Sequence, residues 1–514
     1  MRKLFLVIVC MAALELIFHE DVVYPSDKNE VECTDESTIQ KKAPKDLNLK
    51  EAIMLALRDN RNIEIAYIDR VAEKFDLKIA ESKFLPDLKL IGELGYNKNN
   101  EEATESSTSA VIPMIEEKIP TGATLRFSWD HSNLHNEDDS FWSDSDDKLL
   151  FSLKQPLLKG AGIKVNEASR RIARLKERQN IQELKSDLIE TITETIVAYH
   201  KLTKASEEKK IEGDAFKWAN ENILKFINNA KAYKKDTYNE GLIQAKADAA
   251  SRCSNRVIAQ MEQSKENLNL IKYLELNQKI DIQPSDEISI NNNLQIDMKK
   301  PKIEDFTQIA LHNRPDFLKL KMDNDIAMID LMLAKNEQLW DLSLDATYTK
   351  NNEEENDEGE WWVGAKLIIP IYGPKDLIKK KRYLNAKTVL KKNEVSIDDL
   401  KNDIEIDLKN TILNAQSNHF LLKAAKRERK LSAEKLRLEQ KKLDEQRLSD
   451  FDMWKLITFH TDFVTALKNE TNAKFDYLDD LVYLDKLLGR TLDTWNIEFE
   501  TERNEIEKEV EEVR

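Results

Sequence analysis

Alternating apolar and polar positions predict short strands in two separate parts of the chain. In the first half, apolar residues recur at period two between Leu88 and Tyr96, between 123 and 129, and between 149 and 153. In the second half, they recur in the same way between 342 and 348 and between 361 and 369. This period is typical of a strand with one apolar and one polar face. Strands of about nine residues are long enough to cross a bilayer when tilted.

Apolar residues at steps of three and four predict long helices after each group of strands. One helix runs from about Val165 to about Lys231 and returns from roughly Thr237 to Leu276. A second begins near 374 and returns from Phe451 to Leu488. A single shorter helix, Leu49 to Phe84, is predicted before the first strand. At about 1.5 Å per residue, the first long helix is roughly 100 Å long.

A strand turns directly into a long helix at two corners of the predicted structure. Proline cannot donate a hydrogen bond to the next strand, and glycine permits a sharp change of direction. The corner residues are Pro156, Gly160, Gly162, Pro370, Gly373 and Pro374.

The two halves of the chain form an internal two-fold repeat. A shift of 254 residues aligns Ala56 with Ala310 and Ala80 with Ala334. Such a repeat indicates one pseudo-symmetric molecule, not two independent domains. The predicted parts are a first repeat at 48–285, a connector at 286–303 and a second repeat at 304–489.

The two ends of the chain differ in character from the repeats. Residues 1–22 combine a basic start with an apolar run and predict a secretory signal peptide without a clear cleavage site. Residues 23–47 read as a polar linker and 490–514 as a charged tail. Of the three cysteines, Cys33 and Cys253 allow one bridge, but two free thiols are the favoured interpretation.

Composition and motifs narrow the class of function. A net charge of −16 argues against a nucleic-acid partner, because phosphate binding needs a basic surface. We find no motif for an enzyme, a cofactor or a resident metal. His131, His135 and nearby aspartates allow a cation site, but a solvated acidic loop is favoured. His419 lies on an apolar helix seam and is interpreted as a core histidine.

Together, these elements predict a mainly α protein with a small β part. Aromatic residues near the outer ends of the strands are typical of a membrane interface. They are Tyr96, Trp129, Tyr348, Trp361 and Trp362. An open sheet edge is not tolerated in hydrocarbon, so the predicted sheet must close by oligomerisation.

Four stretches are distinctive: Leu49-Lys50-Glu51-Ala52-Ile53, Leu85-Pro86-Asp87-Leu88, Gln155-Pro156-Leu157-Leu158-Lys159-Gly160-Ala161-Gly162 and the second corner at Pro370. Together they resemble the TolC-type outer membrane efflux channel family. The resemblance covers residues 47–489. It implies a homotrimer in the outer membrane, with four strands from each chain in one shared β-barrel and a helical tunnel in the periplasm. A segment at 107–129 departs from the family and predicts an extra hairpin of unassigned position.

The resemblance also implies that the helix breaks are periplasmic tips, which close the tunnel and contact a periplasmic adaptor protein, and that an inner-membrane transporter is coupled through this adaptor. The tip residues are Tyr233, Lys234, Lys235, Asp236, Arg447, Leu448, Ser449 and Asp450, although the family's usual tip glycines are missing. Possible aperture acids are Asp450, Asp452 and Asp462, for which ordinary exposed acids are the alternative. The predicted function is therefore a passive export conduit of an efflux or type I secretion system. A periplasmic coiled-coil scaffold without channel activity is the alternative.

Overall fold

Two antiparallel pairs of long helices and one six-stranded sheet make up most of the molecule. A computed structural model describes a set of residue ranges with gaps between them. These ranges are 43–99, 104–136, 144–232, 240–277, 280–285, 303–351, 359–370, 373–444 and 450–498. The mainly α fold with a smaller β part agrees with the sequence-based prediction.

The elements of the described residues, in chain order, are as follows. They are β1 (Ala43–Leu47), α1 (Leu49–Asp59), α2 (Arg61–Glu81), β2 (Asp87–Asn99), β3 (Thr104–Lys118), β4 (Thr124–Asn136), β5 (Asp144–Pro156), α3 (Ile163–Asn166), α4 (Ala168–Ala232), α5 (Glu240–Tyr273), β6 (Ile280–Pro284), α6 (Ile303–Asn313), α7 (Pro315–Asn336), β7 (Asp341–Asn351), β8 (Glu360–Ile368), α8 (Pro374–Asp444), α9 (Asp450–Leu487) and α10 (Thr491–Thr494).

The long helices confirm the predicted pattern of apolar seams. In α4 the seam residues Leu188, Ile192 and Ile196 are buried, and in α8 Ile404 and Leu408 are buried. α4 packs along α5, and α8 packs along α9. Toward the helix tips, one apolar cluster draws residues from all four helices. The α4 seam residues pack against Ile53 and Ile63 of α1 and α2, the α8 seam residues pack against Ala310 of α6 and Leu484 of α9, and the cluster near the tips joins the two antiparallel pairs.

The predicted helix from Leu49 to Phe84 is in fact two helices, α1 and α2. The chain leaves helical geometry at Asn60, which has ψ of 122°. The Asn60 side chain caps α2 by accepting a hydrogen bond from the Asn62 N–H at 2.9 Å. Arg314, at the equivalent position of the second half, has the same ψ and precedes Pro315, the first residue of α7. The break is therefore part of the internal repeat.

Two segments outside the predicted repeats are ordered elements. β1 was predicted as part of the polar linker, but it pairs in parallel with β6. The Tyr199 hydroxyl donates to the Leu47 carbonyl at 2.9 Å, and Leu47 is buried. α10 was predicted as part of the charged tail, but Leu492 packs into the core beside Ile192. The predicted signal peptide at 1–22 and nearly all of the connector at 286–303 lie outside the described residues.

The cysteine prediction was also wrong. Cys253 on α5 is disulfide-bonded. Its partner lies outside the described residues, so the favoured interpretation of two free thiols does not hold.

The sheet contains the extra hairpin that the sequence predicted without a position. Its strand order is β2-β3-β4-β5-β7-β8, and every neighbouring pair is antiparallel. β3 and β4 form the hairpin and lie between β2 and β5. The four strands per chain implied by the family resemblance are therefore replaced by six.

Candidate channel wall and strand–helix corners

One face of the six-stranded sheet is apolar across all six strands, and we call it the apolar face. The strand registers place its residues on one side of the sheet. They are Leu88, Leu90, Leu94, Tyr96, Val111, Pro113, Ile115, Leu125, Phe127, Trp129, Leu149, Phe151, Leu153, Leu344, Ala346, Tyr348, Trp361, Val363, Ala365 and Leu367. Leu90 is 75% exposed, Leu94 90% and Trp361 73%. Apolar surface of this extent, left uncovered, marks a contact with lipid or another protein.

The opposite face of the sheet carries charged and hydroxyl side chains. Arg126 on β4 forms an ion pair with Glu116 on β3 at 3.2 Å. Ser152 pairs with Thr347 in the β5–β7 register, and Lys366 lies on the same side. Alternation of an apolar outer face with a polar inner face is the pattern of a transmembrane β-barrel strand.

Four of the five predicted belt aromatics lie on the apolar face. Tyr348 and Trp361 are directly opposite each other in the β7–β8 register, and their rings lie 4.6 Å apart. Tyr96 and Trp129 share this face by register. Trp362 is opposite Thr347 and therefore lies on the polar face, so it does not belong with the other four.

The first strand–helix corner is held by two glycines and an asparagine. Gly160 and Gly162 have φ of +79° and +92°, which residues with a Cβ rarely adopt. The Asn166 amide donates to the Gly160 carbonyl at 2.8 Å and to the Gly162 carbonyl at 3.0 Å. These contacts satisfy backbone groups where β5 has ended and α4 has not begun.

The turn of the β3–β4 hairpin is built into this corner. The Gly162 N–H donates to the Thr121 carbonyl at 2.9 Å. Gly122 has φ of +98°, and a Cβ at this position would lie 2.4 Å from the Gly160 carbonyl oxygen. The hairpin turn can therefore pack this closely against the corner only because residue 122 has no Cβ.

The same corner joins the second half of the chain. The Gly160 N–H donates to the Asn336 side chain at 2.8 Å, and the Lys159 N–H donates to the Trp340 carbonyl at 3.2 Å. At the second corner Gly373 has φ of +159° and Pro374 begins α8. Pro370 follows β8, and residues 371–372 lie outside the described residues.

Polar contacts between helices join the two halves of the helical part. His200 Nδ1 on α4 lies 2.6 Å from Asp479 Oδ1 on α9. Arg252 on α5 donates to the Thr461 hydroxyl on α9 at 2.7 Å. The partners are 279 and 209 residues apart, so no local sequence signal could reveal them.

His460 on α9 lies in a related contact, which the sequence also did not reveal. Its ring stacks on Trp218 of α4, with centroids 3.5 Å apart and planes 5° from parallel. Burial, and then the charge of Arg252, lower the pKa of His460 to about 3. The imidazole is therefore neutral at physiological pH and acts as a flat packing partner between α4 and α9.

Most predicted tip residues lie outside the described residues. These are Tyr233, Lys234, Lys235, Asp236, Arg447, Leu448 and Ser449. Asp450 begins α9, and Asp452 follows in its first turn. Asp462 forms an ion pair with Lys435 at 2.9 Å, so a local cation already offsets its charge. Their roles at a tip or aperture stay predictions.

The other candidate side chains have local contacts. His131 Nδ1 lies 2.6 Å from Asp147 Oδ1, and Trp129 donates to the same oxygen at 3.3 Å. His419 packs against Tyr477, with ring centroids 5.3 Å apart. In the described part of the chain, no group of His, Cys, Asp and Glu side chains is placed to hold a metal ion. None of the described helices has the length and apolar content of a membrane-spanning helix.

Comparison with known proteins gives matches only at the level of structure. No protein-family model matches the sequence, and no curated protein sequence matches it. The Campylobacter jejuni CmeC outer membrane channel is 16% identical, with a TM-score of 0.61 over 90% of this chain and 89% of that chain. The Vibrio cholerae outer membrane protein VceC is 12% identical, with a TM-score of 0.62 over 86% and 96%.

A third similar structure is the open state of the Neisseria gonorrhoeae MtrE outer membrane channel. It is 14% identical, with a TM-score of 0.61 over 86% of this chain and 89% of that chain. Each of the three matches covers most of both chains. This chain therefore has the TolC-type fold of outer membrane channels.

Proposed function

We propose that this protein is the outer membrane channel of a trans-envelope efflux or type I secretion system. It serves as a passive export conduit and carries out no enzymatic chemistry. Its sheet lies in the outer membrane, and its helices lie in the periplasm. The observation that carries the proposal is the apolar face of the sheet, which no other part of the described chain covers.

An apolar surface of this kind is stable where it is removed from water. Leu94 is 90% exposed and Trp361 73% exposed, although burying a large apolar side chain contributes about 1.5–3 kcal/mol. A bilayer covers this face and leaves the polar face toward an aqueous lumen. The aromatics on the apolar face favour the same environment, because Trp and Tyr are enriched at membrane interfaces.

The sheet edges then favour a homotrimer, as in the family that the sequence resembles. β2 and β8 are the two edges, and each has backbone groups without a strand partner in the sheet. Hydrocarbon does not satisfy such groups, so the edges need strands from other copies. The proposed partners are a periplasmic adaptor, which contacts the predicted tips, and an inner-membrane transporter, which is coupled through that adaptor.

The scaffold alternative uses the long helices but gives no role to the sheet. A soluble coiled-coil protein with a continuous exposed apolar face would aggregate. The alternation of the two faces over six strands favours the channel instead.

Membrane fractionation, native mass measurement and planar-bilayer recording together test the proposal. We expect the protein in the outer membrane fraction, as a trimer that conducts ions. A soluble protein, or a membrane protein that never conducts, would contradict it. Leu94→Arg on the apolar face should prevent insertion, whereas Lys366→Gln on the polar face should leave insertion unchanged.

A further inference from the structure

We infer that the β3–β4 hairpin is part of the membrane wall, so that three copies close an 18-stranded barrel. Six strands from each chain contribute, with β8 of one copy paired to β2 of the next. The interaction surface is thus the pair of sheet edges, and the partner is a second copy of this chain. This inference rests on the proposed outer membrane channel function.

The first support is that the hairpin continues the apolar face. Val111 on β3 and Phe127 on β4 are 50% and 42% exposed. Phe127 is directly opposite Phe151 of β5, which is also 42% exposed. A hairpin that capped the pore or folded into the lumen would place these side chains in water. Their position matches a strand that contacts lipid.

The second support is that the hairpin separates β2 from β5 along their lengths. β3 pairs with β2 from Asp87↔Glu116 to Asn99↔Thr104 without a break in register. β4 pairs with β5 from Thr124↔Lys154 to Leu134↔Asp144. β2 and β5 therefore cannot pair with each other unless the hairpin leaves the sheet.

The third support is the anchored turn. Thr121 accepts a hydrogen bond from Gly162, and Gly122 packs against the Gly160 carbonyl. The turn is thus fixed at the base of the sheet, beside the start of α4. A hairpin anchored there rises through the same layer as its neighbours.

The direction of the edge strands agrees with closure by identical copies. β2 starts beside the helices and runs away from them, whereas β8 runs back toward the second corner. Because six is an even number, β8 of one copy meets β2 of the next in antiparallel orientation. When β8 of one copy and β2 of the next pair with their apolar faces on the same side of the barrel, Leu90 on β2 and Val363 on β8 both face lipid.

The number of strands sets the width of the barrel. With strands about 4.8 Å apart and tilted by about 40°, eighteen strands give a backbone diameter of about 36 Å. Twelve strands, four from each of three chains, give about 24 Å by the same geometry. Barrels of 16–18 strands leave an aqueous channel. The extra hairpin therefore widens the outer exit of the conduit.

The first test compares matched arginine substitutions on paired strands. We expect Phe127→Arg and Phe151→Arg each to reduce the amount of assembled trimer in the outer membrane by about tenfold or more. Phe127→Leu, which keeps the position apolar, should assemble like wild type. Wild-type amounts of Phe127→Arg trimer, with loss of Phe151→Arg trimer, would show that the hairpin lies outside the wall.

The second test uses the wild-type protein and does not depend on how the variants fold. Cryo-electron microscopy of the detergent-solubilised trimer should show a barrel of about 36 Å, as calculated from the strand spacing. A trimeric channel with a barrel of about 24 Å would overturn the inference but leave the proposed function intact. A protein absent from the outer membrane would overturn both.

Discussion

The close approach of Gly122 to the first corner gives a sharp test of how the sheet is joined to the helices. A Cβ at this position would lie 2.4 Å from the Gly160 carbonyl oxygen, 2.7 Å from Asn166 Nδ2 and 3.0 Å from Pro156 Cγ. The first of these atoms belongs to the backbone and cannot rotate away. Gly122→Ala must therefore displace either the hairpin turn or the corner.

The cost has two parts. The φ of +98° is unfavourable for alanine, and a residue held in such a conformation costs about 1–3 kcal/mol. Inserting a methyl group into a filled site typically costs a further 1–3 kcal/mol or so. We expect Gly122→Ala to lower the stability of each chain by about 2–6 kcal/mol, the sum of these two ranges.

Gly92→Ala is the matched control, because Gly92 lies in β2 and a Cβ there meets nothing within 4 Å. Alanine in a strand interior is favoured over glycine by about 0.5–1 kcal/mol, so this variant should be as stable as wild type or more stable. The assay is the temperature at which the purified assembly dissociates, together with the rate of proteolysis at the 119–123 turn. Equal dissociation temperatures for the two variants would refute the proposed link between turn and corner.

Three further predictions concern the helical part. Arg70→Met removes the buried partner of Glu177, whose Oε1 lies 2.6 Å from the guanidinium, and should lower the free energy of unfolding in chemical denaturation by about 3 kcal/mol. Arg174→Met, which breaks the exposed ion pair with Glu81, should lower it by no more than about 1 kcal/mol. Because the pKa of His460 in the folded protein is lowered to about 3, the unfolded chain takes up the proton first as the pH falls. The contribution of His460 to the free energy of unfolding is therefore full above about pH 6.5 and falls as the pH drops toward 3. His460→Phe should flatten this part of the stability–pH curve, and an unchanged curve would contradict the assignment. At the predicted tips, Arg447→Glu adds a negative charge three residues before Asp450 in the sequence and should raise the resting conductance in single-channel recording without loss of trimer. Unchanged conductance with intact trimers would mean that the charges of these tips do not control closure of the channel.

Local patterns in the sequence were sufficient for the main elements. The seam residues of α4 and α8 recur at helical spacing, and β2, β4, β5, β7 and β8 alternate at period two, so these elements could be predicted from their own residues. The positive-φ glycines Gly160 and Gly162 marked the first corner, because few other residues adopt that backbone conformation. Pro315 marks the break between α6 and α7, and the internal repeat places the equivalent break at Asn60.

Only the tertiary structure decided which distant segments pair. The sequence predicted the extra hairpin but not whether it joins the sheet, which is decided by the backbone pairing of β3 with β2 and of β4 with β5, its neighbours along the chain. β1 is polar and short, and it is a strand only because β6 pairs with it and Tyr199 donates to Leu47. The contact of His200 with Asp479 likewise joins residues 279 positions apart. Periodicity records which face of an element is buried, but it does not record which partner covers that face, and this choice is made when the whole chain packs.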